Sequence, residues 1–201
     1  MKESYIRFMA PIIPQTIDTL LKIIDQKIHQ KYGRIHLMIS SPGGSVFHGL
    51  SVYNFLKGVP IEVFSYNFGS VDSIGVVIYC AGTKRFSVPH ARFLIHGVKM
   101  NFQGQISFDE FQIHEHLKSV RIDQKNIARV IADNSGKKTD DIEKDMHERR
   151  TLNPTEAKDY GLVHEIKSEL FPLNAEFISI GEPIQYAVQQ VPKQPNFPRT
   201  I

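Results

Sequence analysis

Short apolar segments alternate with amphipathic segments along most of the chain, and this alternation is the strongest constraint on its fold. The segment Thr16–Gln30 has helical spacing, with apolar residues at Ile17, Leu20, Leu21, Ile24 and Ile28. Those positions fall on one face of a helix. Strand-like runs follow at Ile35–Ser40 and Ile61–Tyr66, with a helical pattern between them. The order predicts an α/β domain with parallel strands and right-handed crossovers.

The pattern changes after residue 170, which suggests a domain boundary. Residues 171–201 have no helical period and contain five prolines, namely Pro172, Pro183, Pro192, Pro195 and Pro198. We therefore expect residues 1–170 to form one domain. Residues 171–201 are expected to be an irregular, proline-containing extension with one strand at Glu176–Ile180.

Composition and cysteine content exclude several classes of protein. The chain is 41% hydrophobic and 22% charged, which suits a packed core. Its 24 basic and 21 acidic residues are interspersed, so no basic stripe for nucleic acid is present. Cys80 is the single cysteine, which excludes an internal disulfide and a cysteine zinc motif. We expect no metal or cofactor.

The apolar runs also bear on location. The longest, Ile74–Ala81, contains Gly75 and is far too short to span a bilayer. The first residues, Met1–Pro14, lack the apolar core and cleavage site of a signal peptide. We expect a cytoplasmic protein with no membrane partner.

Ser73 is the first candidate for chemistry, because it follows a strand and opens an apolar helix. The unpaired N–H groups at a helix N-terminus favour developing negative charge, which suits a nucleophile. The alternative is that Ser73 only caps the helix, as serines at this position commonly do.

Two further segments can complete a catalytic site. His96 ends a short apolar run, where its imidazole could take the Ser73 proton and return it to a leaving amine. The alternative is a structural histidine. The turn Ser41-Pro42-Gly43-Gly44 could point backbone N–H groups at an oxyanion, or serve only as a helix-entry turn.

Five motifs occur in one order and together resemble a known family. They are Ile39-Ser40-Ser41-Pro42-Gly43-Gly44-Ser45-Val46, Gly69-x-x-x-Ser73-x-Gly75, Pro89-x-Ala91-Arg92-x-x-Ile95-His96, Phe102-Gln103-Gly104 and Glu156-Ala157-x-x-Tyr160-Gly161-Leu162-Val163. Over residues 4–167 the chain resembles the proteolytic subunit of the ATP-dependent Clp protease. The resemblance implies a crotonase-like (ClpP-type) α/β spiral and a serine peptidase.

The resemblance also implies roles for individual residues. Ser73 corresponds to the nucleophile and His96 to the general base, while the N–H groups of Gly43 and Ile74 correspond to the oxyanion hole. Phe102–Gln105 and the long helix that follows resemble the handle through which two rings join. The implied assembly is a heptamer, or a tetradecamer of two stacked rings around a closed chamber, working with an AAA+ unfoldase.

One position departs from the family pattern. Counting back from Glu156-Ala157, the third catalytic residue, usually Asp, is Arg149. An arginine cannot accept the imidazole N–H and disfavours an imidazolium nearby. Our preferred substitute is Glu148, and Asp145 and Asp72 are other nearby carboxylates.

The sequence therefore predicts a serine endopeptidase that cleaves unfolded polypeptides or peptides inside an oligomeric chamber, by ATP-dependent proteolysis. Two alternatives stay open. One is a catalytically impaired homologue with a structural role in rings, which Arg149 favours. The other is a crotonase-like enzyme of acyl thioesters, or a Ser–Lys variant with Lys99 or Lys84 as the base.

Overall fold

The computed structural model describes residues 1–100, 102, 104–173, 175 and 177–181. Eight strands and six helices occur within them. In chain order they are β1 (Glu3–Met9), α1 (Pro14–His29), β2 (Arg34–Ser41), α2 (Val46–Gly58), β3 (Glu62–Asp72), α3 (Ile74–Cys80), β4 (Lys84–Ser87), β5 (Arg92–Ile95), α4 (Glu110–Ser135), α5 (Thr139–Glu148), β6 (Arg150–Leu152), α6 (Pro154–Asp159), β7 (Glu165–Ile166) and β8 (Phe177–Gly181).

The strands form one sheet in which nearly all pairs are parallel, as predicted. Its order is β6-β5-β3-β2-β1-β8, and β4 pairs with both β3 and β7. The exception within the described residues is the antiparallel pair of β5 and β6. Because β3 is long, its first half pairs with β4 and its last residues pair with β5. The strand β5, which precedes His96, therefore lies beside the end of β3, which precedes Ser73.

The two faces of the sheet have different packing. One face and the helices enclose a large apolar core, in which all seven residues of α3 are buried. The opposite face carries a smaller aromatic cluster of Tyr5, Met38, Phe64, Tyr66 and Phe86. The complete burial of α3 fixes the position of the residue before it, Ser73.

The long helix α4 begins later than the spacing of Ser107 and Glu110 suggests. Asp109 is the capping residue: its carboxylate accepts the Gln112 N–H at 2.8 Å, and the Gln112 side chain accepts the Asp109 N–H at 3.1 Å. An ionised carboxylate at the cap also suits the helix dipole. The first half of α4 is mostly exposed, whereas Ile127, Ala128, Ile131 and Ala132 are buried.

The handle segment and the extension are described only in part. Phe102, Gly104 and Gln105 lie outside any strand, and Gln103 is not among the described residues. The strand β8 is one residue from its predicted position and pairs in parallel with β1. The remaining extension, residues 182–201, lies outside the described residues, and the division at residue 170 stays a prediction.

Candidate active site

Ser73 lies at the junction of β3 and α3 in an unusual backbone conformation. Its φ is 59° and its ψ is −129°, a region that residues other than glycine rarely adopt. Its N–H donates to the Leu94 carbonyl at 2.8 Å, which ties the junction to β5. The side chain makes no capping hydrogen bond to α3. The Oγ atom is therefore at the helix N-terminus without acting as a cap.

Gly43 packs directly against Ser73. A Cβ atom at Gly43 would lie 2.6 Å from Ser73 Cβ and 3.2 Å from Ser73 Oγ, and the φ of Gly43 is +89°. The Gly43 N–H donates to Ser41 Oγ at 3.2 Å. The other predicted oxyanion donor, the Ile74 N–H, is the first amide of α3 and has no acceptor within its helix.

His96 follows β5 and is half-buried. Its Nδ1 lies 2.7 Å from the Gly97 carbonyl oxygen. Because a carbonyl can only accept, this contact assigns the proton to Nδ1 and leaves the Nε2 lone pair available. Within residues 1–100, no hydrogen bond joins His96 to Ser73 Oγ. The register of Asp72 with Leu94 nevertheless places the two residues on adjacent chain segments.

Arg149 is opposite His96 when the antiparallel pairing of β5 and β6 is extended by one residue. The antiparallel pairing of β5 and β6 ends at Ile95 opposite Arg150, so the following residues are His96 and Arg149. Arg149 is exposed and ends α5 in the left-handed conformation, with φ and ψ both 58°. The counted position of the third catalytic residue is thus at the end of α5, near His96.

The candidate carboxylates have other partners. Glu148 is exposed and lies 3.9 Å from Lys144 Nζ on the same helix. Asp72 is buried and accepts hydrogen bonds from Ser70 Oγ at 2.8 Å and from the Arg92 guanidinium at 2.7 Å. Asp145 accepts from Tyr160 and Arg150. In the described part of the chain, none of the three bonds to His96.

Several residues of the site gave little signal in the sequence. Gly97 acts through its carbonyl oxygen, which any residue carries. Arg92 is part of a family motif, but its pairing with Asp72 depends on the register of β3 and β5. Tyr160 also belongs to a motif, and its hydroxyl contact with Asp145 joins two helices that no local pattern relates.

Two cavities of similar size lie along the sheet. One, of about 660 Å³, is at the carboxyl ends of β1, β2 and β3 and adjoins Asp72, Pro42 and Arg92. The other, of about 670 Å³, is at the amino end of β1 beside Tyr32. Ligands of parallel α/β sheets bind at the carboxyl ends of strands. The first cavity lies at that edge, and its lining includes Asp72 but not Ser73, Gly43 or His96.

Three further features of the described residues concern a thiol, metal ligands and membrane-spanning helices. Burial raises the pKa of the Cys80 thiol to about 12, which keeps it protonated and unreactive at neutral pH. The described residues hold no cluster of three metal-ligating side chains. No helix among them is sufficiently long and apolar to cross a bilayer.

Comparison with known proteins identifies the family and the fold of the chain. The family described as Clp protease matches residues 2–169. The ATP-dependent Clp protease proteolytic subunit 2 of Corynebacterium glutamicum is 34% identical over 134 residues, which cover 66% of this chain. The chain spans 65% of that relative's length. A solved structure of a mutant ClpP1 from Listeria monocytogenes has a TM-score of 0.74 and 28% identity, over 82% of this chain and 91% of that one. This likeness confirms the predicted crotonase-like (ClpP-type) α/β fold.

Proposed function

The chain belongs to the Clp protease family, and from this premise we propose that it is a serine endopeptidase. Its substrates are unfolded polypeptides or short peptides. The nucleophile is Ser73 and the general base is His96.

The backbone at Ser73 is the observation that carries the proposal. A residue other than glycine in such a conformation costs about 1–3 kcal/mol, and such strain clusters at active sites. A simple helix cap needs no strain, because extended backbone serves that role, as at Ser45, where the side chain accepts the His48 N–H. At Ser73 the strained turn instead leaves the hydroxyl beside Gly43 and without a capping bond.

The reaction follows from these groups. His96 Nε2 removes the proton from Ser73 Oγ as the oxygen attacks a peptide carbonyl, and then gives the proton to the leaving amine. Water, activated by the same imidazole, releases the acyl group. The N–H groups of Gly43 and Ile74 receive the oxyanion, and loss of one such donor typically costs about 3–4 kcal/mol. The Gly43 N–H must exchange Ser41 Oγ for the substrate oxygen.

We propose that the Gly97 carbonyl holds His96 in the reactive tautomer. A neutral carbonyl stabilises an imidazolium less than a carboxylate does, so the rate should be lower than with an acidic third residue. Glu148 remains the acidic candidate, reached by a shift at the end of α5. Glu148→Gln distinguishes the Gly97 carbonyl from the Glu148 carboxylate as the acceptor of the His96 Nδ1–H. A large loss of kcat would assign this role to Glu148.

The assembly is also a proposal. Large apolar side chains are exposed on the first half of α4, among them Phe111, Ile113 and Leu117. A second copy of the chain would cover them if two rings join through this helix. We propose rings of seven, or fourteen in two rings, that receive substrate from an AAA+ unfoldase in the cytoplasm.

Labelling with a fluorophosphonate probe tests the function. The assembled protein should react at one site, which peptide mass spectrometry should assign to Ser73. Ser73→Ala should abolish labelling, and His96→Ala should slow it strongly. The control Ser51→Ala removes an exposed serine of α2 and should react like the parent protein.

Two other outcomes would support the alternative functions. A folded oligomer that resists the probe and cleaves no peptide would indicate the structural role in rings. Binding of an acyl thioester such as an acyl-CoA, without peptidase activity, would indicate the thioester enzyme.

A further inference from the structure

A hydrogen-bonded cluster around the buried carboxylate of Asp145 adjoins the segment that pairs with β5, and it has no part in the proposed mechanism. Asp145, on α5, is 6% exposed. One of its carboxylate oxygens accepts the hydroxyl hydrogen of Tyr160, and the other accepts the Arg150 guanidinium at 2.8 Å. Both donors serve one carboxylate, so its buried charge is compensated.

The cluster joins three separate elements. Asp145 belongs to α5, Arg150 begins β6, and Tyr160 directly follows α6. Tyr160 is itself buried, and the Arg150 guanidinium lies 5.3 Å from the centre of its ring. The carboxylate therefore fixes the short segment 146–150 relative to α6.

That segment holds the residues on both sides of His96. The Gly97 N–H donates to the Met146 carbonyl at 2.9 Å, and Ile95 pairs with Arg150 in the sheet. Met146 follows Asp145 directly in the chain. A Cβ at Gly97 would make only ordinary contacts, at 3.4 Å from Gln124 Oε1 and 3.9 Å from the Met146 oxygen.

We propose that Asp145 is a positioning residue for His96. By holding the segment 146–150, its carboxylate sets the Gly97 carbonyl that accepts the His96 Nδ1–H. This inference rests on the proposed peptidase function for its kinetic consequence, although its structural consequence is independent of that function.

The chemistry of the cluster explains why a carboxylate is needed. Tyr160 and Arg150 each donate one hydrogen bond, and a carboxylate offers one acceptor oxygen to each of them. Burial, with the neighbouring Asp145 carboxylate, raises the pKa of Tyr160, which keeps its hydroxyl a donor at neutral pH. In Asp145→Asn the charge pairing is lost and one side-chain nitrogen faces a donor.

Two variants and a matched control test the inference. Asp145→Asn removes the charge, and Tyr160→Phe removes one hydroxyl with little change in volume. The control is Tyr66→Phe, which removes a buried hydroxyl from the other face of the sheet, where it contacts His36. Each assembled protein is assayed for peptide hydrolysis and for the imidazole nitrogen and proton NMR signals of His96, below its melting temperature.

We expect kcat to fall about 10- to 100-fold in Asp145→Asn and several-fold in Tyr160→Phe, with KM within about twofold. The His96 Nδ1–H signal should shift or broaden in both, whereas Tyr66→Phe should match the parent protein. Unchanged kcat, or a change confined to KM, would overturn the inference. If the parent protein fails to hydrolyse peptide, the proposed function fails. The His96 NMR signal alone then tests the positioning role of Asp145. An unperturbed signal in the folded variants would overturn that role.

Discussion

Gly43 shows most directly how a single residue is tied to the candidate site. Its left-handed φ of +89° suits glycine, and the space that a Cβ would need is occupied by Ser73. Its carbonyl accepts the Ile12 N–H at 2.8 Å, which fixes the turn from the other side. Neither the turn nor Ser73 can therefore move independently of the other.

Replacing Gly43 with alanine should lower both activity and stability. The new methyl group pushes on Ser73, and a displacement of about 1 Å at a reacting atom can cost 100-fold in rate. We expect at least that loss in kcat, with about 1–3 kcal/mol of destabilisation from the positive φ. Peptide hydrolysis and urea unfolding measure the two effects.

The matched control is Gly136→Ala. Gly136 also has a positive φ, +74°, but nothing lies within 4 Å of its added Cβ. It should lose similar stability and keep its activity. Equal activity losses in the two variants would show that the close contact with Ser73 has no special effect.

His36 is a buried histidine whose protonation should couple stability to pH. Its Nδ1 contacts the Tyr66 hydroxyl at 2.8 Å and its Nε2 contacts the Glu3 carboxylate at 3.0 Å. Desolvation by burial lowers its pKa from the ordinary 6.5, and the Glu3 carboxylate opposes this only in part. The neutral imidazole is therefore the form that the folded protein favours.

Stability should consequently fall as the pH drops below about 6.5, since the unfolded chain then binds a proton that the folded chain resists. Between about pH 7.5 and about pH 5.5, His36→Gln should lose less unfolding free energy than the parent protein. Urea titrations at the two pH values measure this. The exposed substitution His114→Gln should keep the parent dependence, and an equally steep loss in His36→Gln would contradict the assignment.

At the scale of elements, Arg85 joins the ends of two helices. Its buried side chain in β4 donates to the Asn134 carbonyl at 2.7 Å, in the last turn of α4, and to the Leu162 carbonyl at 2.7 Å, just beyond α6. Carbonyls at helix C-termini carry partial negative charge and need donors. One guanidinium thus fixes α4 and α6 against the sheet, and within the described part of the chain it has no carboxylate partner.

Arg85→Met should lower the free energy of unfolding by about 3 kcal/mol or more, because several buried carbonyls lose a charged donor together. The matched control is Arg129→Met, an exposed arginine of α4, which should change stability by less than about 0.5 kcal/mol. Chemical denaturation measures both. Similar stability of the two variants would show that other donors replace the guanidinium.

At the scale of the whole molecule, the two halves of α4 have different surroundings. Its C-terminal half packs in the core through Ile127, Ala128, Ile131 and Ala132. Its N-terminal half exposes Phe111, which is 86% accessible, and Leu117, which is 42% accessible. An apolar surface of this kind on a projecting helix commonly marks an interaction site.

In the proposed double ring, charges on this surface should prevent the two rings from joining. Phe111→Asp combined with Leu117→Asp should reduce the particle to about half its mass, since a two-fold interface is lost on both sides. Gel filtration with light scattering measures the mass. The control Asn126→Asp adds a charge elsewhere on α4 and should leave the mass unchanged. An unchanged mass in the double variant would show that the rings join through another surface.

The sequence predicted the elements better than their long-range contacts. The apolar spacing of α1 and the alternation of strands are local, so they led to the parallel α/β fold. The contacts of Arg85 with Asn134 and Leu162, and of Asp145 with Tyr160, join separate elements, which local patterns do not encode. The predicted roles of Ser73, His96, Glu148, Gly43 and Ile74 remain predictions that the labelling and variant experiments test.

The pairing of β8 with β1 has a consequence for how the chain is synthesised and folded. β1 leaves the ribosome well before β8, its outer partner, because nearly the whole described length of the chain separates the two strands. Until β8 arrives, the edge of β1 presents unpaired peptide groups, which can pair with another nascent chain. Pairing of two strands so far apart in the chain also slows folding, because the entropy of closing the loop between them must be overcome before the contact forms. Chaperone dependence during synthesis should therefore track the integrity of β8.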